Sequence, residues 1–209
     1  MLAEERLREG LRQLELDVDT DMQKKLLAYL QLMLKWNKAY NLTAIRALDE
    51  MVIRHLLDSL SIMPYIKSSP VLDVGTGAGL PGIPLAICMP DCQFVLLDSN
   101  GKKTRFLVQA KIELDIENID VIHSRVEDYR PSSGFEIITC RAFAALNTLL
   151  DRTQHLVTST TRVMAMKARE DRVVLAEGFK QPAQHKLQVP GLNEERHLLE
   201  ITPLTNEST

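Results

Sequence analysis

The sequence predicts an α/β fold: a seven-stranded, mostly parallel sheet with an antiparallel edge hairpin and a helical N-terminal extension. Three observations carry that reading. Apolar residues recur at helical spacing through the first third of the chain. From Val71 onward, short apolar runs alternate with amphipathic stretches. The last two runs are joined only by "PGLNEE", with no helix between them. Strands alternating with helices imply βαβ units and hence a parallel sheet.

Each element has its own signal. Thr20, with Gln23 three residues on, makes a capping box. Leu26, Leu27, Leu30, Met33 and Leu34 then mark one face of a helix. The stretch "WNKAYNLTA" breaks that helix. Asp49 caps another, with Val52, Ile53, Leu56, Leu57 and Leu60 on its apolar side. Pro64 and Pro70 close the region, so 1–67 reads as the extension and 68–209 as the core. Strands are expected at 71–74, 93–98, 119–123, 135–140, 162–167, 185–189 and 197–201. Helices fit at 80–88, 102–114, 144–156 and 173–179.

Composition bounds the function. The chain has 209 residues, enough to bury a real core. Its charged start lacks a signal-peptide core, and no run is long enough to span a bilayer, so it reads as a cytoplasmic protein. Three cysteines make no disulfide framework, and Cys88 and Cys92 read as buried thiols. Five scattered histidines show no metal-ligand spacing, so no metal is expected. The net charge of −3 argues against nucleic acid for the chain as a whole but not for one face of it.

"VLDVGTGAGLPGIPLAI" holds the chemistry. Gly77, Gly79 and Gly82 fit G-x-G-x-x-G, the dinucleotide fingerprint. Gly75, Gly77 and Gly79, beginning two residues after Asp73, fit the D-x-G-x-G-x-G pattern of S-adenosylmethionine (SAM) enzymes. Either ligand needs glycine, because the backbone must turn tightly against it. Asp98 ends the second strand and can accept both ribose hydroxyls of an adenosine, which does not choose between the two.

Three features favour SAM. Asp73 is an anion where pyrophosphate would be repelled, whereas SAM brings an ammonium and a sulfonium. Pro81 and Pro84 remove N–H donors that pyrophosphate would use. No second catalytic domain, as a nicotinamide dehydrogenase would need, is expected after the core. "SRVEDY" follows the third strand and brings Val126 and Glu127 toward the adenine. "CRAFA" follows the fourth and sets Arg141 beside the reacting methyl, where it pairs with an acid such as Asp73 or meets substrate.

The acceptor is less local. The slot after the fourth strand lacks an "NPPY"-type tetrapeptide for exocyclic amines, and Cys140 stands alone and inward, unlike the cysteines that attack pyrimidine C5. Acceptors with their own lone pair, or small molecules, remain. Lys102, Lys103, Arg105, Arg125, Arg130, Arg141, Lys167, Arg169 and Arg172 all fall near the carboxyl ends of strands. That rim is suited to RNA phosphates.

"KWNKAYNLTAI", "VIRHLLDSL", "LDVGTGAGLPGIPLAI", "LLDSNGKKTRFL", "SRVEDY", "CRAFA" and "ERHLLEI", in this order, closely resemble the glucose-inhibited division protein B family. The match runs from about Leu26 to Ile201. The resemblance implies a Rossmann-like class I SAM-dependent methyltransferase that modifies N7 of one guanine in the helix 18 loop of 16S ribosomal RNA; a monomer is expected, though the sequence does not fix it. It implies that Gly75, Leu80, Val126, Glu127 and Arg141 contact SAM, and that Arg54, His55 and Ser59 belong to an N-terminal motif of unassigned role. Lys167-Ala168 departs from the Lys-Gly of many members, which puts the loop geometry there in doubt. Guanine N7 has no proton to lose, so no general base is expected, and Arg141 serves positioning. The alternatives are a methyltransferase for another RNA or a small molecule, a non-catalytic SAM-binding module, and an NAD dehydrogenase.

Overall fold

The computed structural model describes residues 2–141, 145–168 and 178–204. Seven strands form one sheet: β1 (Val71–Val74), β2 (Phe94–Asp98), β3 (Ile119–His123), β4 (Ile137–Arg141), β5 (Arg162–Lys167), β6 (Ala183–Leu187) and β7 (Arg196–Ile201). Their order is β3-β2-β1-β4-β5-β7-β6. The first five run parallel, β7 lies antiparallel to β5, and β6 pairs antiparallel with β7 at the edge. The expected hairpin is present, with β6 starting two residues earlier than read. Chain order reverses between β1 and β4, so the crevice at their carboxyl ends is the switch point where open α/β sheets bind ligands.

Alternation along β1 divides the core. Val71 belongs to an apolar cluster on one face, with Leu96, Phe106 and Ile83; Leu72 and Val74 belong to another, with Ile138, Leu149 and Val163. Helices α5 (Gly82–Cys88) and α6 (Gly101–Glu113) contribute to the first cluster, and α7 (Leu146–Thr153) to the second. The helix expected at 173–179 falls mainly on 169–177, outside the described residues.

The extension comprises α1 (Ala3–Gln13), α2 (Thr20–Tyr40), α3 (Leu48–Met51), a π-helical turn (Val52–Leu57) and α4 (Asp58–Leu60). Leu7, Leu26, Leu30, Met33, Leu56 and Leu60 are fully buried in the first cluster, so extension and core share one interior. The Tyr29 hydroxyl, also fully buried, donates to the Ala78 carbonyl at 2.6 Å and pins the glycine loop from below.

Local readings needed correction here. Asp19, not Thr20, caps α2, accepting from the Met22 N–H at 2.7 Å, while Gln23 turns back to the Val18 carbonyl. A carboxylate one residue earlier reaches the same donors. α2 runs through "WNKAY" and stops at Asn41, whose φ of 51° ends the helix in the left-handed region. Asp49 caps nothing: the N-cap is Ala47, and Asp49 faces Arg6 at 3.9 Å. Cys88 and Cys140 are buried, but Cys92 only half so.

Candidate active site

The glycine loop is shaped by backbone that other residues rarely adopt. Gly75, Gly77 and Gly79 have φ of 65°, 64° and 97°. Gly79 is constrained twice, because a Cβ there would also sit 2.6 Å from Ile83 Cδ1. Asp73 lies beneath the loop with no exposure; its Oδ2 accepts from Thr76 Oγ1 at 2.6 Å and from the Gly82 N–H at 2.9 Å. Asp98 binds the loop from the other strand: Oδ2 accepts from the Gly77 N–H and Oδ1 from the Asn100 N–H, each at 2.8 Å.

A cavity of about 290 Å³ opens at these strand ends. Gly75 after β1, Asp98 at the end of β2, Val126 and Glu127 after β3 and Arg141 at the end of β4 line it, as the sequence leads one to expect. Asp73, Gly77, Gly79 and Leu80 do not line it; Gly77, Gly79 and Leu80 continue the loop that starts at Gly75, and Asp73 holds that loop at Thr76 and Gly82. Two residues expected to meet RNA, Lys103 and Arg125, line this cavity. Lys102 and Arg105 point outward from α6, and Arg130 turns onto the Glu127 and Tyr129 carbonyls. Arg169 and Arg172 lie outside the described residues.

A second cavity, also of about 290 Å³, lies between the extension and the ends of β4, β5 and β7, and includes Lys167. Arg141 lines both cavities. Its partner is not Asp73 but Asp58, an acid from the extension that sequence reasoning passed over. Arg141 Nη1 donates to Asp58 Oδ2 at 3.1 Å and to the Arg54 carbonyl at 2.8 Å. Arg196 Nε donates to the other oxygen of Asp58 at 3.0 Å, so one carboxylate, its side chain 5% exposed, joins two arginines. Arg54 itself forks onto Glu194 with two bonds of 2.8 Å.

The π-helical turn explains how a helix carbonyl reaches Arg141. In an α-helix the Asp58 N–H would bond Arg54 O, four residues back. Here it bonds Ile53 O and His55 O, and Arg54 O accepts the guanidinium. Such turns recur at functional sites. His55 and Ser59 are buried beside it. His55 lines the second cavity and meets Thr43 Oγ1 at 2.9 Å; burial first, then the Arg141 charge, lowers its pKa to about 4, so it is neutral at ordinary pH. Arg152 was also missed; it pairs with Glu127 at 3.2 Å on the cofactor side.

Burial raises the Asp73 pKa from 3.8 to about 6, against the pull of its Thr76 and Gly82 bonds. A raised carboxylate pKa means that the folded state binds the proton more tightly, so stability falls as pH climbs from about 4 to 6. Asp73→Asn removes that titration. Whatever constant cost its amide carries, the variant gains on the parent between pH 4 and 7.5 by up to about 3 kcal/mol. Urea unfolding at the two pH values measures this, and a gap independent of pH would contradict it.

Solved structures that superpose on this chain share its fold. A SAM-dependent methyltransferase from Aquifex aeolicus aligns over 71% of this chain and 91% of its own, with a TM-score of 0.54 at 15% identity. A protein of the NADB-Rossmann superfamily from Streptococcus agalactiae aligns over 73% and 70%, at 0.57 and 14%. The fold is that of the Rossmann-like SAM-dependent methyltransferases. At the level of sequence, the model of the family described as GidB, rRNA small subunit methyltransferase G, matches residues 22–199. The ribosomal RNA small subunit methyltransferase G of Pseudomonas aeruginosa strain LESB58 is 53% identical over 197 residues, 92% of each chain. That of Stutzerimonas stutzeri is 52% identical over 202 residues, 94% of each. The chain belongs to this rRNA methyltransferase family, and SAM is its methyl donor.

The residues present fit that donor. Asp98 commits one backbone bond to each oxygen, and a carboxylate offers about four acceptor sites, so two remain for a ribose diol. The buried Oδ1 of Asp73 has no hydrogen-bond partner among the described residues, an anion held without a counterpart directly under the loop.

Proposed function

We propose that the protein methylates N7 of a single guanine in the helix 18 loop of 16S ribosomal RNA, as a monomer and without a general base. The observation that carries this reading is Arg141, shared by two adjoining cavities at the sheet's switch point. SAM, when bound, supplies an activated methyl group. The chain's own residues supply position. Gly75, Gly77, Gly79 and Leu80 shape the cradle, Asp98 takes the ribose, Val126 and Glu127 border the adenine, and Asp73 sets a negative field under the loop. Guanine N7 has an exposed lone pair and nothing to deprotonate, so alignment is the main demand on the protein. His55 is a weak base, since burial and the Arg141 charge lower its pKa to about 4, and Thr43 holds its Nε2 at 2.9 Å. Lys167 and Arg125, with Lys102, Lys103 and Arg105 on the adjoining helix, give the rim a positive character that suits the phosphate backbone.

The direct test is transfer from labelled SAM to small subunits lacking the modification, with the product nucleoside identified by mass spectrometry. 7-Methylguanosine at one helix 18 position is expected; a different nucleoside or site would replace this reading. Asp98→Ala is expected to weaken SAM binding by at least about tenfold, or 1.4 kcal/mol, as two charge-assisted bonds are lost. Calorimetry showing an unchanged affinity would remove Asp98 from the ribose.

A further inference from the structure

We propose that the second cavity receives the acceptor base, and that its wall reads guanine through O6 and not through N1–H and the 2-amino group. This rests on the methyl-transfer reading above and adds the place and the recognition chemistry of the acceptor. Two groups that react directly must meet within about 3–3.5 Å. The two cavities share Arg141, so a base in the second has its edge at the wall that borders the donor.

The lining suits a splayed nucleobase. Ile45, Met166 and Ala168 supply apolar surface for its faces. Apart from His55 and Asp58, the polar side chains among the described lining residues are cations: Arg54, Arg141, Lys167 and Arg196. Arginine and lysine only donate hydrogen bonds. The carboxylate of Asp58 already has one oxygen on Arg141 and the other on Arg196.

That donor-rich wall distinguishes the purines. Guanine offers N7 and O6 as neighbouring acceptors, whereas adenine sets an amino donor beside N7. A guanidinium at the shared wall bonds O6 while N7 faces the donor cavity, and it opposes the adenine amino group. Guanine N1–H and the 2-amino group need acceptors, and the one carboxylate among the described lining residues, Asp58, is buried and already holds Arg141 and Arg196.

Two arms test this. The first fills the cavity with Ile45→Trp or Ala168→Trp, at half-buried and exposed positions outside the cofactor cavity. SAM affinity, read by calorimetry, is expected to stay within about threefold, reporting an intact fold, while transfer to unmodified subunits falls at least about 50-fold. Transfer within threefold of the parent by either variant overturns the placement. The second arm replaces the target guanine by inosine, which keeps O6 and lacks the 2-amino group, or by 2-aminopurine, which does the reverse. Inosine is expected to be methylated within about tenfold of guanine and 2-aminopurine to lose at least about 100-fold; the opposite order overturns the O6 reading. The unaltered protein on unsubstituted RNA separates the failures, because no transfer there brings down the methyl-transfer reading itself.

Discussion

Arg141→Ala is expected to lower kcat/KM for methyl transfer by at least about 100-fold, or 2.7 kcal/mol of transition-state stabilisation, in a protein that stays folded. The size follows from its place as the one residue, among the described residues, common to both cavities. The fold survives because Asp58 keeps Arg196 at 3.0 Å when Arg141 is gone, so no buried carboxylate is stranded. Arg141→Lys is expected to stay impaired. An ammonium is a point donor, whereas the guanidinium already bonds the Arg54 carbonyl and Asp58 through Nη1 and has a planar fork to present elsewhere. Single-turnover kinetics with saturating SAM, beside a thermal melt, measures the loss. Turnover within a few-fold of the parent in a folded Arg141→Ala would remove the residue from the reaction.

How much of this was legible in the sequence depends on how far apart the partners lie. The sheet was readable because period-two runs and their spacing are local, and five parallel strands fell within two residues of expectation. The glycine loop and Asp98 were readable for the same reason: 21 residues separate Gly77 from the carboxylate it bonds. Asp58 was not, since its partners lie 83 and 138 residues away. In "VIRHLLDSL" it looks like one more polar residue on a solvated helix face. The π-helical turn was equally hidden, because its apolar spacing also fits an α-helix and only the Arg141–Arg54 bond shows its consequence. Charge at strand ends did not separate Lys103 and Arg125, which line the cofactor cavity, from Lys167, which lines the other.

Asp58→Ala is expected to be the most destabilising single substitution around the site, by about 3 kcal/mol, because it leaves two largely buried guanidinium groups without their shared counterion. Arg141 and Arg196 side chains are 20% and 16% exposed, which keeps the cost near the lower end for broken buried pairs. Urea unfolding with an unchanged slope gives the value, and a loss below about 1 kcal/mol would show that solvent already screens the pair. Stability alone does not reveal whether Asp58 also positions Arg141. The double variant Asp58→Ala/Arg196→Leu separates the two roles. Removing Arg196, whose remaining acid is Glu194 at 3.5 Å, restores part of the stability, since the penalty lies in the weakly paired buried charge. It does not restore the anchor of Arg141, which then keeps, among the described residues, only the Arg54 carbonyl. A double variant that melts near the parent yet transfers methyl slowly, with SAM affinity intact, makes Asp58 a positioning residue. Recovery of both together would reduce it to a strut between the extension and the sheet.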